Sequence, residues 1–202
     1  MIIKKYNSED EWMDGRMGKV TGTRLKDLIS KRGTAHKKGF YEIIAEKVAI
    51  PASGENVMDR GHRLETDAIA IFEEKTGKKV NTDLVIWARE DNTDIAISPD
   101  GYIAGEKITE ACEVKCLNSA SHIEAYLNQE IPSEYEYQKI QYFVVNNELE
   151  ILYFIFYDPR MPKDFFYLTV TRESIKNEIN ECLEVEIKTL REISEIEKLL
   201  TF

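Results

Sequence analysis

The chain has 202 residues, 43% of them hydrophobic and 10% aromatic, with a formal net charge of −10. This size suits one domain that buries roughly 70% of its unfolded surface. The three cysteines and three histidines are scattered along the chain, which argues against a four-ligand zinc site. No apolar run approaches the ~20 residues that span a bilayer, and the first residues contain no signal-peptide core, so we expect a cytoplasmic protein with no membrane segment.

The charge is distributed unevenly. Residues 1–63 hold 13 Lys/Arg against 9 Asp/Glu, whereas residues 64–202 hold 14 against 28. Basic clusters near the N-terminus can therefore bind phosphates although the whole chain is acidic. Solvated lysines at helix ends explain any single cluster equally well.

Hydrophobic spacing predicts three helices in the N-terminal part. The first covers residues 21–32 after threonine cap candidates, the second covers 41–49, and a long third helix covers 57–75 and ends at Gly77. Leu64 and Ala68 lie on the inner face of the long helix, which places Glu65 at the border of the buried stripe.

The hydrophobic period then changes to that of strands. We predict strands, and helices between them, at the following positions: strands over 80–89, 95–98, 101–104 and 111–117; helices over 121–129 and 133–145, the second with a capping box; strands over 149–157 and 165–171; and a charged amphipathic helix over 173–200. The strand over 149–157 is almost continuously apolar and so should be central. Helices, a mixed sheet and a final helix predict an α/β layered domain.

One predicted strand carries an acid and a base on the same face. Side chains alternate along a strand, so Glu113 and Lys115 lie side by side, within reach of Asp100 if the strands flanking the Gly105 turn pair. Two carboxylates can bind Mg²⁺, and a lysine beside them can orient an attacking water. An isolated pattern of this kind more often forms an exposed cross-strand salt bridge.

Other residues extend this possible site. Glu65 can support a second metal, or it is a solvated helix acid. Gln138 and Gln141 lie three apart on one helix and can bond water or phosphate, or they form a polar helix edge. Arg16 and Thr23 flank a predicted helix N-terminus and suit a terminal phosphate, with simple helix capping as the alternative.

Six motifs occur in a specific order and together cover roughly residues 12–161. They are W-x3-R-x-G-x-V-T-x-T (12–23), G-x3-E-x2-A-x2-x-F-E (61–73), S-P-D-G (98–101), E-V-K-C (113–116), Y-x2-Q-x2-Q-Y (135–142) and Y-D-P-R-M (157–161). With them the sequence resembles the bacteriophage lambda exonuclease and YqaJ-like viral recombinase family of the PD-(D/E)xK nuclease superfamily.

The resemblance implies a restriction-endonuclease-like α/β fold with a central mixed β-sheet flanked by helices. It implies one nuclease domain over 1–202, with a helical part that binds DNA ends (about 1–78), a catalytic sheet with helices (about 79–171) and a C-terminal helix (about 172–200). The implied activity is Mg²⁺-dependent 5′-to-3′ digestion of double-stranded DNA from its ends, with Mn²⁺ able to substitute. The 3′ single-stranded overhangs would serve recombination by strand annealing.

The resemblance also implies partners and a location. They are double-stranded DNA ends, two further copies in a homotrimeric ring, and a single-strand annealing protein. The gene would belong to a phage or prophage, and the protein would act in the cytoplasm of the bacterial host.

The family pattern assigns roles around the metal. Asp100 and Glu113, with the carbonyl of Val114, would ligate it, and Glu65 would support a second metal. Lys115 would act on the attacking water. Gln138 would complete the site.

The family pattern also assigns contacts to the end of the DNA. Arg16, Thr23 and Ser98 would hold the 5′-phosphate, and Met58 would be an apolar wedge between the strands. The family has a phosphate-binding arginine where this chain has Ser121 followed by a histidine. Because that fixed charge is missing, 5′-phosphate preference and processivity are less well supported than hydrolysis.

Three other interpretations remain open. One is a RecB-like repair endonuclease that uses the same metal site, and another is a catalytically inactive protein that binds DNA ends. The third is an interaction protein in which the charged hairpin only solvates a sheet.

Overall fold

The computed structural model describes residues 8, 11, 38, 41, 42, 44, 45 and 57–200, with side chains in the continuous part over 64–191. The chain forms two compact units. One contains residues 1–64, 116–130 and 156–166, and the other contains residues 65–115, 131–155 and 167–202. The predicted helix over 21–32 lies outside the described residues, whereas the described positions between 41 and 45 are helical as predicted.

Helix α1, Val57–Thr76, is the long predicted helix. It ends at Gly77, which has a φ of +70° that favours glycine, and whose amide donates to the Glu73 carbonyl at 2.8 Å. Leu64, Ala68 and Phe72 are buried, as their helical spacing predicts. Glu65 is half-buried beside this stripe.

A five-stranded sheet forms the centre of the fold, and a separate two-stranded sheet accompanies it. The strands are β1 (Val80–Asn81), β2 (Trp87–Ala88), β3 (Ala96–Ile97), β4 (Gly101–Ile103), β5 (Glu110–Lys115), β6 (Ile151–Tyr157) and β7 (Phe165–Thr171). The large sheet has the order β1-β4-β5-β6-β7, and β2 pairs with β3.

The large sheet is mixed. Strand β4 is antiparallel to both β1 and β5. The amides of Glu150 and Ile151 both donate to the carbonyl of Thr109, so the starts of β5 and β6 lie together and these strands run parallel. Strand β6 is buried from Leu152 to Tyr157, which agrees with the central strand predicted from its apolar run. The predicted α/β fold with a mixed sheet is therefore confirmed.

The single predicted strand over 80–89 is wrong, because only its two ends are strand residues. After β1, the Asn81 side chain accepts a hydrogen bond from the Asp83 amide at 2.7 Å and turns the chain out of the sheet. Leu84 and Ile86 are consequently exposed. Alternating apolar residues do not specify a strand when a local side-chain bond offers the backbone another conformation.

Helices α2 (Ser119–Asn128), α3 (Glu136–Val145) and α4 (Lys176–Leu200) complete the described fold. Helix α2 begins earlier than predicted because Asn118 caps it by accepting from the Ser121 amide at 3.0 Å. In the first unit, Ala120 and Ile123 of this helix pack with Tyr41 in an apolar cluster.

The predicted capping box before α3 is wrong. The chain first makes a 3₁₀ turn over Ser133–Tyr135, in which the Tyr135 amide donates to the Pro132 carbonyl, and no side chain within the described residues caps this turn. Helix α3 packs against α4 and β3 in the second unit. Among the described helices, none is both long enough and apolar enough to cross a membrane.

Candidate active site

Asp100 and Glu113 lie opposite each other on paired strands. Gly101 pairs with Cys112 in the antiparallel β4–β5 ladder, which sets Asp100, just before β4, against Glu113 in the middle of β5. The Val114 amide donates to Asp100 Oδ2 at 2.8 Å and fixes that carboxylate against β5. The pairing across the Gly105 turn, predicted from the sequence, is thus present.

Glu113 is buried, with 1% of the residue exposed. Its Oε1 accepts from Lys115 Nζ at 2.5 Å and from Gln138 Nε2 at 2.6 Å, and its Oε2 accepts from the Tyr142 hydroxyl at 2.6 Å. The interpretation of this hairpin as an exposed surface salt bridge is therefore wrong. The ion pair exists, but both faces of β5 are covered, since Cys112 and its neighbours in the strand are buried as well.

Lys115 lies between its carboxylate partner and an aromatic ring. Its side chain is 18% exposed, and Nζ stands 4.7 Å from the centroid of the Tyr135 ring. Contact with the π-face of a ring is favourable for an ammonium group. The lysine is thus held at the edge of the site with a limited opening to solvent.

Both carboxyl groups resist ionisation in the absence of a cation. Burial, reinforced by the charge of Asp100, raises the pKa of Glu113 to about 7 despite the hydrogen bonds from Lys115 and Tyr142. Burial also raises the pKa of Asp100, and the Val114 amide and the Lys115 charge offset this only in part. The surrounding protein therefore stabilises the charged form of each carboxyl group only in part.

This donor set suits a hard divalent cation. Mg²⁺ prefers carboxylate and carbonyl oxygens and typically binds through one or two carboxylates, with water or substrate phosphate completing its coordination. Over the described residues, no group of three or more His, Cys, Asp or Glu side chains is placed to hold a metal. Two adjacent carboxyl groups with raised pKa values, Glu113 buried and Asp100 half-buried, suit a cation that shares its remaining positions with substrate.

Glu65 keeps the position predicted for it on α1, half-buried beside the apolar stripe. Within the part of the chain that is described, it does not form a metal-binding group of three carboxylates with Asp100 and Glu113. Its role toward a second metal remains a prediction.

Helix α3 carries two residues of the site, Gln138 and Tyr142. The sequence had suggested no role for Tyr142. The two residues are four apart and so lie on one face of the helix, and both donate to Glu113. Gln141 does not join them, because its amide donates to the Ala96 carbonyl at 3.4 Å. The sequence feature that could have identified Tyr142 is its spacing of four residues from Gln138, which places both on one helix face.

The predicted phosphate contacts are only partly described. Ser98 is exposed two residues before Asp100, and its hydroxyl donates to the Val85 carbonyl at 3.0 Å. Arg16 and Thr23 lie outside the described residues. Met58 belongs to α1, but its side chain is outside the described part.

Ser121 lies in the first turn of α2 and is half-buried. Its neighbour His122 is buried, and burial lowers the pKa of the imidazole. The ring nitrogen Nε2 lies 2.9 Å from the Lys163 carbonyl. A neutral imidazole in this environment does not replace the fixed charge of an arginine.

Comparison with known proteins identifies the family of the chain. A family model described as the YqaJ-like viral recombinase domain matches residues 11–148. The structure of an alkaline exonuclease, LHK-Exo from Laribacter hongkongensis, is similar at 27% identity and a TM-score of 0.59 over 94% of this chain and 95% of that chain.

A second structure of LHK-Exo, in complex with dAMP, is similar at 28% identity and a TM-score of 0.54 over 93% of this chain and 99% of that one. A search of curated proteins found no match. The family match covers more than half of the chain. The chain therefore belongs to the YqaJ-like viral recombinase domain family.

Proposed function

We propose that the protein is a divalent-metal-dependent 5′-to-3′ exonuclease that digests double-stranded DNA from its ends. The observation that carries this proposal is the buried Glu113 on β5 opposite the half-buried Asp100 just before β4, with Lys115 bonded to Glu113. Family membership and the likeness to an alkaline exonuclease support nuclease activity. The product would be a 3′ single-stranded overhang that enters recombination by strand annealing.

Asp100 and Glu113 would hold Mg²⁺, or Mn²⁺ in its place, together with the Val114 carbonyl. A divalent ion bound there supplies Lewis-acid chemistry to the scissile phosphate. The Val114 amide orients Asp100, and Gln138 orients Glu113. These bonds fix both carboxylates before substrate arrives, which reduces the reorganisation needed during the reaction.

Lys115 would act on the attacking water. Its ammonium group can hold a water by a charge-assisted hydrogen bond and stabilise negative charge that develops on the oxygen. The Tyr135 ring and the Glu113 carboxylate limit the positions that Nζ can take. The lysine would therefore hold the water on one side of the two carboxyl groups.

The remaining assignments complete the proposal. Arg16, Thr23, Ser98 and Ser121 would contact the 5′-phosphate, Met58 would part the strands, and Glu65 would support a second metal. The partners would be DNA ends, two further subunits of a ring and a single-strand annealing protein, in the cytoplasm of a bacterial host. The assembled carboxylate and lysine set argues against an inactive DNA-binding protein.

The experiment that tests this proposal removes the Asp100 carboxylate. Asp100→Ala should lower the rate of Mg²⁺-dependent digestion of linear duplex by more than about 100-fold, since loss of groups that only orient ligands already costs 10–100-fold. Duplex binding, measured by fluorescence anisotropy, should remain. Unchanged digestion would remove Asp100 from the mechanism.

Two further variants make the result specific. Asp100→Asn keeps an oxygen that can accept from the Val114 amide, so it tests the charge without removing that bond. Asp94→Ala alters an exposed carboxylate outside the site and should digest DNA at the normal rate. Equal losses in Asp100→Asn and Asp94→Ala would contradict the assignment.

A further inference from the structure

We infer that Tyr142 is a positioning residue whose hydroxyl locks the carboxylate of Glu113 in its metal-binding orientation. The inference rests on the proposed function, because it concerns how the same site prepares its metal ligands. It assigns Tyr142 no contact with the DNA and no proton transfer.

The Tyr142 hydroxyl connects the two carboxylate-bearing residues. The residue is fully buried, and its hydroxyl donates to Glu113 Oε2 at 2.6 Å. The same oxygen accepts from the Asp100 amide at 3.4 Å. The Cys112 carbonyl lies 3.3 Å away, but a phenol has one proton and the short contact with the carboxylate takes it.

The hydrogen bonds to Glu113 are divided between its two oxygens. Lys115 and Gln138 both donate to Oε1, whereas Tyr142 is the donor that the structure shows for Oε2 among the described residues. Rotation of the carboxylate about its terminal bond, a soft torsion, would move both oxygens away from their donors. The hydroxyl on Oε2 opposes this rotation from the side that Lys115 and Gln138 leave without a donor, and so helps to fix the carboxylate plane.

The ring that carries this hydroxyl is itself fixed by packing. Tyr142 lies on α3 and meets the Trp87 ring edge-on at a centroid distance of 6.2 Å. Phenylalanine can keep these contacts and loses only the hydroxyl. Tyr142→Phe therefore isolates the hydrogen bond from the packing of the helix.

The chain offers a matched control on the same strand. Tyr153 donates from its hydroxyl to Glu110 Oε2 at 2.7 Å, and Glu110 is the first residue of β5. Glu110 is also paired with Lys78 at 2.7 Å and is not one of the proposed metal ligands. Tyr153→Phe thus removes the same kind of bond from the same strand, but outside the site.

The test measures metal binding directly, without DNA. Mn²⁺ binding to the full chain is followed by electron paramagnetic resonance, and the Mg²⁺ concentration for half-maximal digestion is measured separately. Tyr142→Phe should weaken Mn²⁺ binding about 10–100-fold and raise the Mg²⁺ requirement by a similar factor, the usual effect of losing a group that orients a ligand. Its KM for DNA ends should stay unchanged.

The control variant and the wild type separate the possible outcomes. Tyr153→Phe should bind Mn²⁺ as the wild type does. Wild-type Mn²⁺ affinity in Tyr142→Phe, or equal weakening in both variants, would overturn the inference. Circular dichroism and the Tm measured without Mn²⁺ check that each variant is folded.

Failure of the proposed function itself would look different. A wild-type protein that binds no Mn²⁺ and digests no DNA would overturn the proposed nuclease. A wild type that binds and digests, beside an unchanged Tyr142→Phe variant, would overturn only the role of the hydroxyl.

Discussion

The buried carboxyl group of Glu113 lowers the stability of the folded chain. It is almost fully removed from water, and burial raises its pKa to about 7 even though Lys115 and Tyr142 bond to it. A buried charge that is not fully compensated costs free energy of folding. A bound cation would offset that cost, so we interpret the incomplete neutralisation as preparation for a ligand.

Asp158 is also buried, but its pKa is lowered, in contrast to that of Glu113. Burial alone would raise its pKa, but hydrogen bonds from Arg160 and Ser119 outweigh burial and lower it. Arg160 contacts both oxygens, at 2.7 and 2.8 Å, and the Ser119 hydroxyl donates at 2.6 Å. Because the folded pKa is depressed, the stabilisation is present above the unfolded pKa and is lost as pH falls through the folded pKa.

We therefore expect the effect of Asp158→Asn on stability to depend on pH. At pH 7 the variant should lose about 3 kcal/mol of unfolding free energy, since the Arg160 charge loses its buried partner. At about pH 3, below the ordinary pKa of an aspartate, the difference should narrow, because the carboxyl group of the unfolded wild-type chain is protonated there and part of the advantage of the folded charge is lost. Urea unfolding at both pH values measures the difference.

The exposed Asp94 provides the comparison for Asp158. Asp94→Asn should change stability by less than about 0.5 kcal/mol at either pH. A loss in Asp158→Asn that is the same at pH 7 and pH 3 would show that the charge pair is not its cause.

The sequence predicted these individual residues to different degrees. Strand alternation and the turn were enough to bring Asp100 and Glu113 together, because both follow from local geometry. The burial of Glu113 could not be predicted this way, since it depends on how α3 packs over β5. Tyr142 was missed for the same reason, as its spacing from Gln138 gains meaning only once the facing strand is known.

Helix α3 orients Glu113, so the position of this helix must itself be fixed. Its C-terminal carbonyls have no partners within the helix, and two arginines bind them. Arg172 donates from Nη2 to the Phe143 carbonyl at 2.9 Å and from Nε to the Leu149 carbonyl at 2.7 Å. Arg89 donates to the Val144 carbonyl at 2.5 Å.

Arg172→Lys should therefore behave as a severe change although it keeps the charge. A lysine has one ammonium group and cannot reproduce the planar fork that reaches several carbonyls. We expect a loss of about 2–3 kcal/mol of unfolding free energy, seen as a lower urea midpoint with an unchanged m-value. Arg191→Lys, at an exposed position of α4, should leave the midpoint unchanged.

A normal midpoint for Arg172→Lys would mean that the carbonyls of α3 need no arginine. A loss shared by Arg191→Lys would point instead to a general effect of replacing arginine.

Elements with long, uniform patterns were predicted well. Helix α1, the central strand β6 and strand β7 follow from periodicity or an unbroken apolar run, which depend little on distant contacts. The strand over 80–89 failed because Asn81 forms a local bond to the backbone. The capping box failed because the Pro132 carbonyl starts a 3₁₀ turn instead.

For the whole molecule, the proposed function requires an acidic chain to bind DNA. Its net charge is −10, yet residues 1–63 carry a basic surplus of 13 Lys/Arg over 9 Asp/Glu. We expect that surplus to contact phosphates, while the acidic C-terminal segment from residue 173 onward, with eight glutamates against four Lys/Arg, faces away from DNA. The single nuclease domain and the trimeric ring stay predictions, because they depend on contacts that the sequence does not specify.

Metal-dependent digestion from a 5′ end can be tested in one digestion. A linear duplex labelled at either the 5′ or the 3′ end of one strand is incubated with a covalently closed circle, in Mg²⁺ or in EDTA. We predict that Mg²⁺ releases the 5′ label first as mononucleotide, leaves the 3′ label in long strands and spares the circle, and that EDTA stops digestion. Cutting of the circle, earlier loss of the 3′ label or digestion in EDTA would contradict a metal-dependent 5′-to-3′ exonuclease.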